Sequence, residues 1–153
     1  MNIKKDIKVT LEKDDLSKLL RIADPFLMID KAYNIIPGKS GLGVKILSED
    51  SWFYKCHFVD SPVMPGTLQV EAMLQTVIAV IYCSANLEDK NCLITKSSSN
   101  FYSKVEKEGE LKINAEILNN NRGAIEAKAN IVFNELKVSD GSFKFFNPNK
   151  LKI

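Results

Sequence analysis

Hydrophobic and polar positions along the chain follow two different periods. From Gly66 to about Ser84, Leu68, Val70, Met73, Leu74, Val77, Ile78, Val80 and Ile81 cover nearly every face of a helix. A helix that is apolar all round has to be wrapped by other elements rather than laid on a surface. The second half alternates instead. In LKINAEIL, Leu111, Ile113, Ala115 and Ile117 take turns with Lys112, Asn114, Glu116 and Leu118; in AIEAKANIVF, Ile125, Ala127, Ala129 and Ile131 take turns with Glu126, Lys128, Asn130 and Val132. Period two is what a sheet with one covered face requires. CLITKSSSNFYSKV also favours an extended segment, and Asn119 to Gly123 is a good hairpin connection. VSDGSFKFFN adds a last strand or extends the one before it, with a turn expected at Asp140–Gly141.

The first half is read from weaker signals. Extended IKVT leads into a short helix, Asp14 to Leu20, with acidic residues near its start. FLMIDKAYNI reads as a strand, and PGKSG at Pro37 to Gly41 as a turn. LGVKIL returns as a second strand, with Val44 and Ile46 alternating against Lys45. SEDSWFYKCHF is expected to be irregular but ordered, with a helical turn near Trp52 to Tyr54 that Ser48 or Ser51 could cap. The sum is an α+β architecture: a curved antiparallel sheet wrapped around one long central helix, with edges and apolar surface suited to dimerisation. At 153 residues the expectation is a single domain over 1–153. Gly-rich phosphate loops are absent, which disfavours a nucleotide-binding α/β fold.

Charge narrows the partners. A net charge of +2 argues against a surface that coats nucleic acid, yet leaves room for a local basic patch that docks an acidic protein carrier. The start, MNIKKDIKVTLEKDD, lacks a hydrophobic signal segment. The most apolar stretch, Val70 to Cys83, is interrupted by Glu71, Gln75 and Thr76 and is too short to span a bilayer. A soluble cytoplasmic protein is therefore expected. Cys56, Cys83 and Cys92 lack paired spacing, so neither a disulfide framework nor a zinc knuckle is favoured.

The candidate chemistry lies in HFVDSPVMPGTLQVEAMLQ, His57 to Gln75. His57 is the chain's single histidine, which excludes a His-rich metal site. The imidazole side chain suits taking and returning a proton, although a histidine simply hydrogen-bonded in the core or a loop fits equally well. Glu71 stands one turn into an apolar helix, where an unpaired carboxylate is costly. It needs strong partners, or its proton, unless it faces solvent on a narrow stripe with Gln75 one turn on. Pro65–Gly66 turns the chain into that helix and leaves its first backbone N–H groups available to charge developing on a carbonyl oxygen. No G-x-S-x-G elbow occurs, which weakens a serine hydrolase reading.

The segment resembles the β-hydroxyacyl-acyl carrier protein dehydratases of the hot-dog fold, in particular the FabZ type. HF, then P-V-M-P-G, then E-A-M-x-Q occur at the family's intervals; PFLMID (25–30) and FYSKVEKEGEL (101–111) match flanking segments in family order. The resemblance implies His57 as general base, Glu71 as general acid, the Gly66 N–H on the thioester carbonyl, and Gln75 beside Glu71 in the substrate site. It implies no metal and no redox cofactor. It also implies acyl carrier protein as partner, and homodimers whose sites combine side chains of both subunits; a trimer of dimers is common in that branch. Cys56 replaces the glycine usual before the histidine, Val59–Asp60 the usual Pro-Gly, and Arg21–Ile22–Ala23–Asp24 the usual P-H-R-Y. These departures are expected to shift the loop or narrow the tunnel. Two rival activities are a hot-dog thioesterase, using a carboxylate on water or on the thioester carbonyl, and a carrier-binding subunit without turnover.

Overall fold

The computed structural model describes residues 7–84, 90–106 and 108–148. The basic beginning of the chain and the end of its polar tail lie outside the described residues. Ten elements follow in order: β1 (Val9–Glu12), α1 (Lys13–Leu20), β2 (Lys31–Ile36), β3 (Ser40–Leu47), a 3-10 turn (Trp52–Lys55), α2 (Gly66–Tyr82), β4 (Leu93–Phe101), β5 (Gly109–Asn121), β6 (Ala124–Phe133) and β7 (Leu136–Phe146). The strands form one antiparallel sheet in the order β1-β2-β3-β5-β6-β7-β4, and α2 packs on its inner face. This is the hot-dog arrangement.

The expected alternation holds in β5 and β6. Leu111, Ile113, Ala115, Ile125, Ala127, Ala129 and Ile131 are buried against α2, whose Ala72, Met73, Val77, Ala79 and Val80 are fully covered. The β5–β6 hairpin closes through Arg122–Gly123, both at positive φ (50° and 86°), between the paired Asn121 and Ala124. That is the backbone twist two-residue hairpins favour. A capping box of Glu12 and Asp15 starts α1, with the Glu12 N–H donating to Asp15 Oδ2 at 3.0 Å.

Three expectations need correction. The strand expected over FLMIDKAYNI does not start at Phe26: residues 26–29 are irregular, with Phe26 exposed and Leu27, Met28 and Ile29 buried, and β2 begins at Lys31. The reason is Gln75, whose side chain accepts the Met28 N–H (2.8 Å) and donates to the Phe26 carbonyl (2.9 Å), replacing a strand neighbour. In β3 the phase is the reverse of the one read. Lys45 lies inward, its amine reaching Leu27 O (3.3 Å) and Asp30 Oδ1 (3.1 Å), while Ile46 is 55% exposed. The inward row begins with Gly41 and Gly43, which carry no hydrophobic signal; a Cβ at Gly43 would overlap the Thr76 side chain of α2. Finally, Asp140–Gly141 is not a turn. β7 runs through it, and the chain reverses at Asn134–Glu135, both at positive φ. Gly141 stands there because the Phe143 ring covers its Cα.

Candidate active site

His57 follows the 3-10 turn, whose start at Ser51 is not capped by its side chain: Ser51 Oγ instead accepts the Ser48 N–H at 3.1 Å. The loop behind the histidine is tied at both ends. The His57 N–H donates to Phe53 O (2.8 Å), and its carbonyl accepts from the Val63 N–H (2.9 Å). On the ring, Nδ1 lies 3.0 Å from the Val63 carbonyl. A carbonyl can only accept, so the neutral ring holds its proton on Nδ1 and keeps the Nε2 lone pair. The Phe58 ring stacks on the imidazole at 3.9 Å between centroids.

The imidazole opens on a cleft of about 540 Å³ shared with Pro65, Gly66, Thr67, Val70 and the inward side of β4 at Ser97, Ser99 and Phe101. An adjoining cleft of about 360 Å³ continues past His57 to Gln69 and residues 101–104. At the start of α2 the first intrahelical donors are Leu68 and Gln69, both bonded to Pro65 O (3.0 and 3.1 Å). The Gly66 and Thr67 N–H groups precede them, at the positive end of the helix dipole. Gly66 also lets Phe101 close over it, since a Cβ would come within 2.9 Å of that ring.

Glu71 is half-buried and lies elsewhere. It lines an apolar trough of about 230 Å³ with Leu74, Gln75, Ile78 and Tyr82 of α2, Leu20 and Ile22, and Cys92, Ile94 and Phe145. Burial pushes the Cys92 thiol up to about 11, so this wall is a neutral, weakly polar thiol. Gln75 Nε2 donates to Glu71 Oε1 at 2.8 Å. Gln75 is itself 2% exposed, so the two do not form a solvent-facing stripe. One chain therefore brings Gly66 to His57 and Gln75 to Glu71, and holds the two groups in separate cavities.

The Gln75 amide joins three hydrogen bonds across α2 and the 26–28 segment. Gln75→Leu leaves the Met28 N–H and Phe26 carbonyl without partners in the interior. The expected cost is about 3 kcal/mol in urea unfolding, at an unchanged denaturant slope.

The departures from the family pattern lie in the loop around His57 and just ahead of Pro25. Cys56 has φ −135°, open to any residue, and its Sγ turns back toward the Trp52 and Phe53 carbonyls at 3.6 Å. Val59 is 82% exposed, at the tip of the Phe58–Ser61 turn. Cys56, Val59 and Asp60 do not line the two clefts beside His57, whereas Ile22 lines the Glu71 trough. Sequence reasoning missed Gln69 and the β4 wall around Phe101. The FYSKV segment carried a signal for the wall.

Comparison with known proteins agrees with this fold. A FabA-like domain matches residues 22–142. The 3-hydroxyacyl-[acyl-carrier-protein] dehydratase FabZ of Ruminiclostridium cellulolyticum is 32% identical over 136 residues, covering 88% of this chain and 96% of the relative. For the FabZ proteins of Syntrophomonas wolfei (35% identical, 54% of this chain) and Jannaschia (37% identical, 58% of this chain), the chain spans little more than half their length, 58% and 55%. A sigma28-regulated virulence protein from Campylobacter jejuni shares the fold with a TM-score of 0.69 at 14% identity, covering 89% of this chain and 92% of its own. A hypothetical thioesterase from Streptococcus pneumoniae, solved with coenzyme A, shares it with a TM-score of 0.59 at 17% identity, covering 72% and 80%. This chain belongs to the FabA-like family of hot-dog proteins, and one FabZ dehydratase is similar to it over 88% of its length.

Proposed function

We propose that this protein dehydrates a 3-hydroxyacyl thioester carried on acyl carrier protein, in homodimers whose sites each take His57 from one subunit and Glu71 from the other. The observation that carries the reading is the division of labour within one chain. A base beside free helix N–H groups occupies one cavity, and a carboxylic acid at the head of an apolar trough occupies another.

Strand β4 links the two. Ser97, Ser99 and Phe101 wall the His57 cleft, and Ile94, at the strand's other end, walls the Glu71 trough. β4 is also an edge strand, with Leu93, Ile94 and Phe101 61%, 46% and 50% exposed. Such an edge favours pairing with another strand. Antiparallel pairing of β4 with its copy about a twofold axis runs the Phe101 end of one beside the Leu93 end of the other. Each His57 cleft then meets a Glu71 trough.

In that site Nε2 of His57 takes the proton from the carbon beside the thioester carbonyl. The electron pair moves toward the carbonyl oxygen, where the Gly66 N–H stabilises the developing charge. The pair returns as the β-carbon–oxygen bond breaks, and the hydroxyl leaves as water with the proton of Glu71. Gln75 donates to Oε1, which leaves Oε2 as the oxygen that carries this proton. Both amide protons of Gln75 are engaged, so it positions Glu71. The product is the 2-enoyl thioester, and the proton on His57 restores Glu71 through solvent. Purified protein given a 3-hydroxyacyl carrier thioester is expected to generate enoyl absorbance without free thiol. Release of free thiol without enoyl product assigns a thioesterase, and binding without either assigns a carrier-binding subunit.

A further inference from the structure

Among the described residues, three buried side-chain polar atoms lack a hydrogen-bond partner: Gln69 Oε1, Ser99 Oγ and Ser139 Oγ. They gather behind one wall. Ser139 pairs with Phe101 across β7 and β4, and Ser99 is two residues along the same inward row. Gln69 is one turn into α2 from Gly66, whose Cα abuts the Phe101 ring. Gln69 is 3% exposed, yet it lines the cleft that runs from His57 and Gly66 to Tyr102, Ser103 and Lys104. A carbonyl oxygen left without a partner in the interior is costly, and folding alone gives no return for it. The last torsion of a glutamine is soft, so its carbonyl can swing toward that cleft at little cost.

We propose that Gln69 is a substrate-binding residue that recognises the amide-bearing arm of the thioester. Its carbonyl accepts an arm N–H in the cleft beside His57, while the acyl end continues toward the partner's Glu71. The inference rests on the thioester reading above and adds the part of the substrate that this side holds. The chemistry is selective: the site presents an unused acceptor, and the arm of a pantetheine thioester presents amide donors, whereas a simple alkyl thioester has none.

The test compares the wild type with Gln69→Leu, a change of similar size that removes the amide. Binding of free pantetheine, measured by calorimetry, is expected to weaken about tenfold. The KM for 3-hydroxybutyryl-pantetheine is expected to rise by about the same factor, and this loss disappears with the ethanethiol thioester of the same acid. Thermal stability is expected to hold or rise, because an unpaired buried polar group has been removed. Equal pantetheine affinity in the two proteins, an equal loss with both thioesters, or a lower melting temperature would each overturn the assignment. Weakened pantetheine binding in a protein without dehydratase activity would keep the role of Gln69 and remove the proposed reaction instead.

Discussion

His57→Ala is expected to lower turnover of a 3-hydroxyacyl carrier thioester by about two to four orders of magnitude, the range a positioned acid or base contributes. Glu71→Gln is expected to do the same while leaving the fold intact. Glutamine matches glutamate in size and still accepts from Gln75, but it has no acidic proton to give the departing hydroxyl. The two substitutions remove the base and the acid of one elimination, groups that act as a unit, so their effects combine to less than the product of the single losses. Substrate affinity moves little in either variant, since neither group is assigned to holding the carrier arm. Enoyl absorbance under saturating substrate measures both. Wild-type rates in either variant would remove that residue from the reaction.

The largest effect on stability is expected at Gly43. The inward row of β3 passes so close to α2 that a methyl group at this position would collide with Oγ1 and Cγ2 of Thr76. Thr76 has no easy retreat: it is 1% exposed, β-branched, and its hydroxyl donates to Ala72 O at 2.8 Å. Gly43→Ala is therefore expected to cost about 3 kcal/mol, with a melting temperature lower by about 8 °C for a domain of this size. Shortening the opposing side chain relieves the collision, so Gly43→Ala with Thr76→Ala recovers a large part of the loss. Additive losses in the double variant would show that the helix–strand approach is not what requires glycine here.

What could be read beforehand follows from how far each signal is local. α2 and the β5–β6 pair were legible because their apolar residues repeat at the period of the element and face one core. The phase of β3 was not legible, because its inward positions begin with Gly41 and Gly43 and include Lys45, none of which looks buried in isolation. Residues 26–29 resemble a strand in composition, yet their backbone partner is the side chain of Gln75, 47 and 49 positions away along the chain. Asp140–Gly141 looks like a turn, but that glycine serves the ring of Phe143.

The candidate site divides in the same way. His57, Gly66, Glu71 and Gln75 stand out in one short segment, and the pairing of Gln75 with Glu71 follows from helical spacing. That His57 and Glu71 open into different cavities is a property of the folded chain. Gln69 is a neighbouring polar residue in the same helix, and only its unpaired carbonyl oxygen distinguishes it.

The central claim is that one working site needs two chains, and mixed dimers test it most directly. The His57→Ala and Glu71→Gln chains, each inactive alone, are co-expressed with different tags. A dimer of one with the other holds one site with intact His57 and Glu71 and one site lacking both. Random assortment gives half the dimers this composition, so the mixture is expected to recover about a quarter of wild-type activity, and the dimer isolated through both tags about half. Activity of the doubly tagged dimer no higher than that of its parents would contradict the shared site.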